Sequence, residues 1–417
     1  MTKTERIILF LLAGLNFTHI LDFIIMVPLS IYLIPSFNLT AFQFSMLVAS
    51  YSVSAFFSGL IVAMLVDRHD RKKSLIIAYI GFIFGTFACG LAPNFGLLLT
   101  FRILAGTFGG ILGAQVFSIV SDLFEYERRG RAMGAVMSAF AVASVVGIPL
   151  SLYLTNLFHS DWHIPFLSIA AIGVLLTPFI IRYLPRMKDH IRLNEHKPMF
   201  SGLAGTMKVP MQRSALIFSF LFLLGHFIVI PFIPSYLEFN KGFTKEEIPL
   251  LLLVGGVASF AAAIYLGRFS DKKGKLPVFL WCVLSSMVLV LVLTNMPDMY
   301  LGVALGFFAI LFMAVTGRIV MAQAMITGVV SNDQRGSFMS VNGSVQQLGQ
   351  GVASLLAGVI VHTDKTTHRL NHYNWVGYLS IGLMIVTLVM GSRIFKSIDK
   401  TTEVVKEQEP LVTEMTK

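Results

Sequence analysis

Residues 63–73 read AMLVDRHDRKK, and residues 267–275 read GRFSDKKGK. Each is a knot of charge closing an apolar run, and their acids, Asp67 and Asp271, lie 204 residues apart. A second echo, ERRG at 127–130 and DQRG at 333–336, repeats at an offset of 206. Two matches at nearly one offset describe a chain built from two related halves.

The apolar runs state what surrounds those halves. Of 417 residues, 55% are hydrophobic and 13% charged, with 36 Phe and 20 Met; the mean hydropathy is +0.77. A soluble protein carries about 25% charged residues, so too little polar surface is left here to cover such a core. Runs of about 20 apolar residues cross the roughly 30 Å of a bilayer as helices. The spacing predicts twelve spans, at 7–34, 43–66, 74–92, 95–118, 133–157, 163–184, 213–237, 248–267, 276–295, 299–325, 337–361 and 375–395. The first reads as a retained span, because no small-residue cleavage site follows it. The expected fold is all-α: twelve transmembrane helices in two pseudo-symmetric six-helix halves, 1–184 and 213–395. A cytoplasmic linker, 185–212, joins them, and 396–417 reads as a disordered cytoplasmic tail.

Charge placement orients the bundle. Of 32 Lys and Arg, 26 fall in or at the edge of segments on the side of the N-terminus. Four (Lys241, Lys245, Lys365 and Arg369) fall on the other side, and Arg102 and Arg318 lie within spans. That bias places both termini in the cytoplasm. It also accounts for the net charge of +10 without nucleic acid, because the basic residues sit in short loops between spans. Cys89 and Cys282 both lie in apolar runs and read as small core residues.

The paired knots resemble the loop signature of the major facilitator superfamily, Gly-x-x-x-Asp-Arg/Lys-x-Gly-Arg/Lys-Lys. The second half fits through Gly267, Asp271, Lys272, Gly274 and Lys275. The first keeps Asp67, Arg68, Arg71 and Lys72, but has Ala63 and Asp70 where glycines are usual. HILDFIIMVPL at 19–29 and FRILAGTFGG at 101–110 are similar to the family's bacterial proton-driven drug and sugar efflux members, related to arabinose-efflux permeases. The resemblance covers the whole chain. It implies a secondary carrier in a bacterial inner membrane, a monomer in lipid that exchanges protons for a small organic solute. It also implies that the knots latch the halves in an outward-open state; as plain chemistry they are also ordinary topology-setting loops. One departure stands out: the Gly-Pro pair usual in span five is here Gly147-Ile148-Pro149. Pro149 still predicts a bent helix.

Charges well inside spans carry the chemistry, because each costs about 2.5–3.5 kcal/mol at mid-membrane. Asp22 sits midway along span one, with His19 and Asn16 on the same face at i−3 and i−6. Desolvation favours the neutral form of a carboxyl, so Asp22 is the expected proton-exchange group, or else a structural acid pinned to an arginine. Arg102 stays charged wherever it is placed, as a partner for Asp22 or as a packing anchor. His19 reads as a proton relay or a neutral core histidine. Substrate-cavity candidates are Asn16; His226 and Tyr236 in span seven, which Pro231 and Pro234 should break; Arg318; and the ladder Asn342, Gln346 and Gln350 of span eleven. Arg318 either snorkels to the cytoplasm or binds an acidic part of the solute.

Other signals are weaker. GTFGGILG at 106–113 lies inside a span with no following GK[ST] and is no phosphate loop. His362, His368 and His372 with Asp364 read as an exposed polar loop rather than a metal site. No Ser-His-Asp, HExxH or CxxC arrangement suggests an enzyme, and no cofactor is implied. The leading expectation is proton-coupled export of a drug-like, amphipathic or sugar-like compound by alternating access. The alternatives are an uptake symporter for a metabolite or siderophore, and a non-transporting membrane sensor or assembly protein.

Overall fold

The computed structural model describes residues 2–65, 70–124, 126–185, 187, 207–330 and 335–415. Asp67 and Arg68 of the first knot, and most of the 185–212 linker, lie outside the described residues. Twelve helical spans are present among the described residues. Eleven have the length and composition to cross a membrane. Span eleven, Arg335–Ile360, has 26 residues, roughly 39 Å of helix, but its Asn and Gln residues make it less apolar.

Span one starts at Lys3 behind a capping box. Thr2 Oγ1 accepts the Glu5 N–H at 3.2 Å, and Glu5 Oε2 accepts the Thr2 N–H at 2.7 Å. It is not the single helix the sequence predicts over 7–34. It ends at Ile25 and resumes as Ser30–Phe37, because Pro28 between them has no N–H to continue the ladder. Span two is Ala41–Leu65 and span three Arg71–Cys89, capped by Asp70 Oδ1 accepting the Lys72 N–H at 3.0 Å. Span four is Phe95–Leu123. Span five runs Tyr126–Val142, widens into a π-turn at Ala143–Gly147, and continues as Ile148–Leu157. Pro149 cannot donate to the carbonyl one turn back, and a π-turn absorbs that lost bond. The expected bend is therefore present without the usual Gly-Pro pair. Span six is His163–Tyr183.

The second half repeats the plan. Span seven is Pro210–Phe227, a 3₁₀ turn at Ile230–Phe232, then Ile233–Lys241, broken where Pro231 and Pro234 predict. Spans eight, nine and ten are Glu247–Lys273, Lys275–Thr294 and Leu301–Thr327. Gly274, with φ +87°, makes the tight turn between eight and nine. A short antiparallel ribbon, His362–Thr363 against Leu370–Asn371, precedes span twelve. That helix runs Tyr373–Met415, so 396–415, read from sequence as a disordered tail, is helical. No Gly or Pro falls between Ser392 and Glu409, and a helix already nucleated in span twelve adds residues at little further cost.

Polarity is inverted relative to a soluble protein. Phe57, Phe84, Leu175 and Trp281 are exposed on the outside, whereas Asp22, Arg102, Gln115, Arg318 and Asn342 are buried. One core gathers Leu12, Leu15, Tyr79, Phe82 and Val116 within spans one to six. The larger one crosses between halves, joining Ile25 and Phe44 to Phe232 and Phe308.

Close helix approach makes that crossing possible. A Cβ on Gly358 of span eleven would stand 1.8 Å from Ser45 Oγ of span two, and one on Gly351 2.7 Å from Val53 Cγ2. Within the first half, a Cβ on Gly110 would meet the Ala55 carbonyl at 2.4 Å, so the glycine run of span four serves packing. At the face opposite the N-terminus, the Tyr32 hydroxyl donates to Asn156 Oδ1. Asn156 Nδ2 donates to the Lys245 carbonyl at 3.1 Å, and Lys245 Nζ lies 4.9 Å from the Tyr32 ring centre. These contacts tie the two halves together at that face.

Candidate functional site

Span one carries Asp22 into the interior and span four brings Arg102 to meet it. Arg102 Nη1 donates to Asp22 Oδ2 at 2.9 Å and to the Asp22 backbone carbonyl at 3.3 Å. Both side chains are fully buried. The guanidinium lies over Tyr51 of span two, 4.5 Å from the ring centre, and Thr86 of span three is buried near the carboxyl with its hydroxyl unbonded among the described residues. The pair is not saturated. Asp22 Oδ1, Arg102 Nε and Nη2 and the Tyr51 hydroxyl have no hydrogen-bond partner among the described residues. A buried ion pair with open donors and acceptors is held less tightly than a fully bonded one, and an open carboxylate oxygen is where a proton adds.

The polar stripe of span one does not act as a unit. Asn16 Nδ2 donates to the Val136 carbonyl of span five at 3.1 Å, a helix–helix bond rather than a cavity contact. His19 packs edge-on to Phe82, with ring centres 6.0 Å apart, and beside Tyr51 at 6.2 Å. Neither of its ring nitrogens has a partner among the described residues, so it is not hydrogen-bonded to Asp22.

A second polar group forms across spans seven and ten. Arg318 Nη2 lies 2.9 Å from His226 Nδ1, and the guanidinium sits 5.6 Å from the Phe222 ring centre. Arg318 is only 2% exposed, which removes the snorkelling reading: its charge stays inside. Nearby, Gln346 Nε2 of span eleven donates to Gln323 Oε1 of span ten at 3.2 Å. Asn342 is buried with neither amide atom bonded, and Gln350 Oε1 is likewise open. Tyr236 lies elsewhere. It packs on Tyr373, ring centres 4.7 Å apart, and lines a surface pocket of about 370 Å³ with Lys241, Asn295 and His372 at the face opposite the N-terminus.

The two groups face each other through aromatic rings. Phe23 lies 5.5 Å from Tyr51 and 6.1 Å from Phe227, ring centre to ring centre. Phe227 in turn adjoins His226 at 5.1 Å. A continuous path thus runs from Arg102 through Tyr51, Phe23, Phe227 and His226 to Arg318. Tyr51, Phe23 and Phe227 were missed from sequence, because an aromatic residue in an apolar span looks like any other.

The described part of the loop knots acts locally. Arg71 Nε pairs with Asp122 Oδ2 of span four at 2.8 Å, and Lys72 Nζ donates to the Ile181 carbonyl of span six at 2.8 Å. Both bonds stay within the first half. Asp70, the departure from the usual glycine, caps span three, and its Oδ1 also accepts the Met187 N–H at 3.4 Å. In the second half Asp271, Lys272 and Lys275 are exposed, and a Cβ on Gly267 would meet nothing within 4 Å. No group of three or more His, Cys, Asp or Glu among the described residues has the clustering of a metal site.

Twelve helices, an inverted polarity and charges buried within each half describe a multi-pass membrane protein. The sequence profile of the Major Facilitator Superfamily matches residues 11–294 and 215–416. The chain belongs to the Major Facilitator Superfamily, whose members transport solutes and are not enzymes. It is 23% identical over 372 residues to the uncharacterized MFS-type transporter YceJ of Bacillus subtilis (strain 168), covering 88% of each chain. It is 28% identical over 261 residues to Multidrug resistance protein 3 of the same organism, covering 58% of this chain and 49% of that protein. The fold is similar to that of a bacterial homologue of the human lysosomal transporter Spinster, crystallised inward-facing and unoccupied. The TM-score is 0.77 at 16% identity, over 96% of this chain and 99% of that one.

Proposed function

We propose that this protein is a proton-coupled secondary carrier that exports a small organic compound across a bacterial cytoplasmic membrane, with both termini in the cytoplasm. The observation that carries the reading is the buried, unsaturated Asp22–Arg102 pair. Protonating Asp22 removes its charge and with it the ion pair to Arg102, leaving spans one and four held there only by the weaker bond from Arg102 Nη1 to the Asp22 carbonyl. Losing the proton restores the pair. A carrier needs one group whose charge changes and a neighbour whose charge does not, and a carboxylate beside an arginine meets both conditions. The Tyr32–Asn156–Lys245 contacts serve as the outer closure, and separate when the halves rock to release solute outward. The basic residues near the N-terminal side support the orientation, and likeness to a multidrug resistance protein supports export.

The test is proton release by the purified protein as dyes, antibiotics, sugars and siderophores are added, followed by pH-driven flux of any binder in liposomes. Wild type is expected to exchange protons with its ligand, and Asp22→Asn to bind it without exchange and without pH-driven flux. Unchanged proton exchange in Asp22→Asn refutes the role of Asp22, and flux only in the uptake direction refutes export.

A further inference from the structure

We propose that Arg318, set by His226, is the receptor for an anionic group on the transported solute, and that the solute is an organic acid with an aromatic or otherwise apolar body. This rests on the chain being a transporter but not on how transport is driven.

The argument starts from a charge that is not balanced. Arg318 is buried at 2% exposure and keeps its proton in any protein environment. No Asp or Glu lies within ion-pair distance of it among the described residues, and its Nε has no partner. Among the described residues its one hydrogen bond goes to a histidine nitrogen. Because a guanidinium only donates, His226 Nδ1 must be the acceptor, which puts the ring's hydrogen on Nε2 and leaves the ring neutral. The bond fixes the direction of the guanidinium and cancels none of its charge. Arg102, by contrast, meets Asp22 at 2.9 Å.

The deep interior of spans one, four, seven and ten therefore holds two guanidiniums against one carboxylate. A buried charge is retained at considerable cost unless something pairs with it, and the solute is the natural counter-ion in a carrier. A carboxylate suits the open edge of a guanidinium by geometry as well as by charge.

The surroundings say what else the solute carries. Phe222 lies under the guanidinium, and Phe227 and Phe23 continue the wall toward the other half. His226 is only partly buried, so the pair borders reachable space rather than a sealed core. An acid with an apolar body places its charge on Arg318 and its body against these rings. It would lie on the path that leads to Asp22, where it can bear on both halves at once.

The experiment uses the full chain purified in detergent, with 2-naphthoate and benzoate as probes, their amides as neutral isosteres and benzylamine as a cation. Binding is read by isothermal titration and by the shift in unfolding temperature. Wild type is expected to bind naphthoate about tenfold to a hundredfold more tightly than naphthamide, the preference of a charge-assisted hydrogen bond. Arg318→Gln should abolish that preference, and Arg318→Lys should keep part of it. If the glutamine variant does not elute as a folded monodisperse species, the lysine variant and the acid-over-amide preference of wild type carry the test. Equal binding of acid and amide, a preference for the cation, no binding of either acid at 20 mM (on the order of the weakest useful affinity), or an acid preference surviving in Arg318→Gln overturns the proposal. Asp22→Asn leaves the Arg318 charge in place and should still bind naphthoate. Retained acid binding there with unchanged proton exchange defeats the proton-coupling reading alone, whereas loss of acid preference in wild type defeats this one alone.

Discussion

Replacing Asp22 and Arg102 singly and together measures what the buried pair contributes. Their nearest atoms stand 2.9 Å apart and neither side chain is exposed. At an effective dielectric of about 20, unit charges at that separation attract by roughly 6 kcal/mol. Much of this is offset by desolvation of both ions, so breaking the pair costs more than the pair contributes. Arg102→Gln leaves a carboxylate buried beside Thr86 with no cation, and should destabilise by about 3–5 kcal/mol. Asp22→Asn should be milder, because the guanidinium keeps the backbone carbonyl at 3.3 Å and the Tyr51 face at 4.5 Å. With about 0.5–2 kcal/mol retained from the aromatic face, the expected loss is about 2–4 kcal/mol. The double variant removes both charges and should cost less than the sum of the singles by about 2–4 kcal/mol. Denaturant unfolding of the four proteins in one detergent, followed by intrinsic fluorescence, closes the cycle. Additivity within about 0.5 kcal/mol would show that the two charges do not interact, and would refute the pair as described.

Gly358→Ala should lower the unfolding temperature, since its Cβ would stand 1.8 Å from Ser45 Oγ and 3.0 Å from the Phe42 Cα; a cost of about 1–3 kcal/mol is expected, and an unchanged temperature would show that spans two and eleven separate freely there. Asn156→Ala removes the link between Tyr32 and the Lys245 carbonyl; in a Phe44→Cys background it should make the new thiol react several-fold faster with a maleimide, and an equal rate would deny the closure. Asp364 in the ribbon turn accepts the Thr366 hydroxyl at 2.6 Å and the Thr367 and Thr366 N–H groups at 2.8 and 2.9 Å, which hold its carboxyl well below the usual carboxylate range. A depressed group stabilises above its unfolded value and loses that contribution as pH falls, so the Thr366 and Thr367 amides should stay protected from hydrogen exchange from pH 8 down to about 4 and lose protection only below. Loosening already at pH 6 would contradict it.

The architecture was largely legible because membrane helices declare themselves locally. A run of apolar residues long enough to cross hydrocarbon must be helical, since no water is present to satisfy its backbone. The proline breaks in spans five and seven followed from the missing donor. Pro28 was also in view, but a continuous apolar run concealed that it splits span one. The site was legible in part. Asp22, Arg102 and Arg318 stood out because charge is rare in such surroundings. Asn16 was chosen as part of a polar stripe and Tyr236 for the proline break beside it, yet one is spent on the Val136 carbonyl and the other, buried against Tyr373, lines a pocket away from the Asp22–Arg102 pair. Arg71 and Lys72 were read either as part of a latch between halves or as topology-setting loop residues, and their described bonds stay within one half.

Composition and repeat spacing alone determined a twelve-helix membrane protein of two related halves, because hydrophobic length and internal offset are properties of the chain taken in order. Which charges meet is a property of the chain folded. Asp22 and Arg102 are 80 residues apart, and His226 and Arg318 are 92 apart. Helix packing through small residues such as Gly110 decides which side chains those helices bring together. Only the tertiary structure could show that one buried arginine has a carboxylate and that the other has none among the described residues. A charge announces itself in sequence, but its neutralisation depends on a partner within about 4 Å, and residue order does not specify that distance.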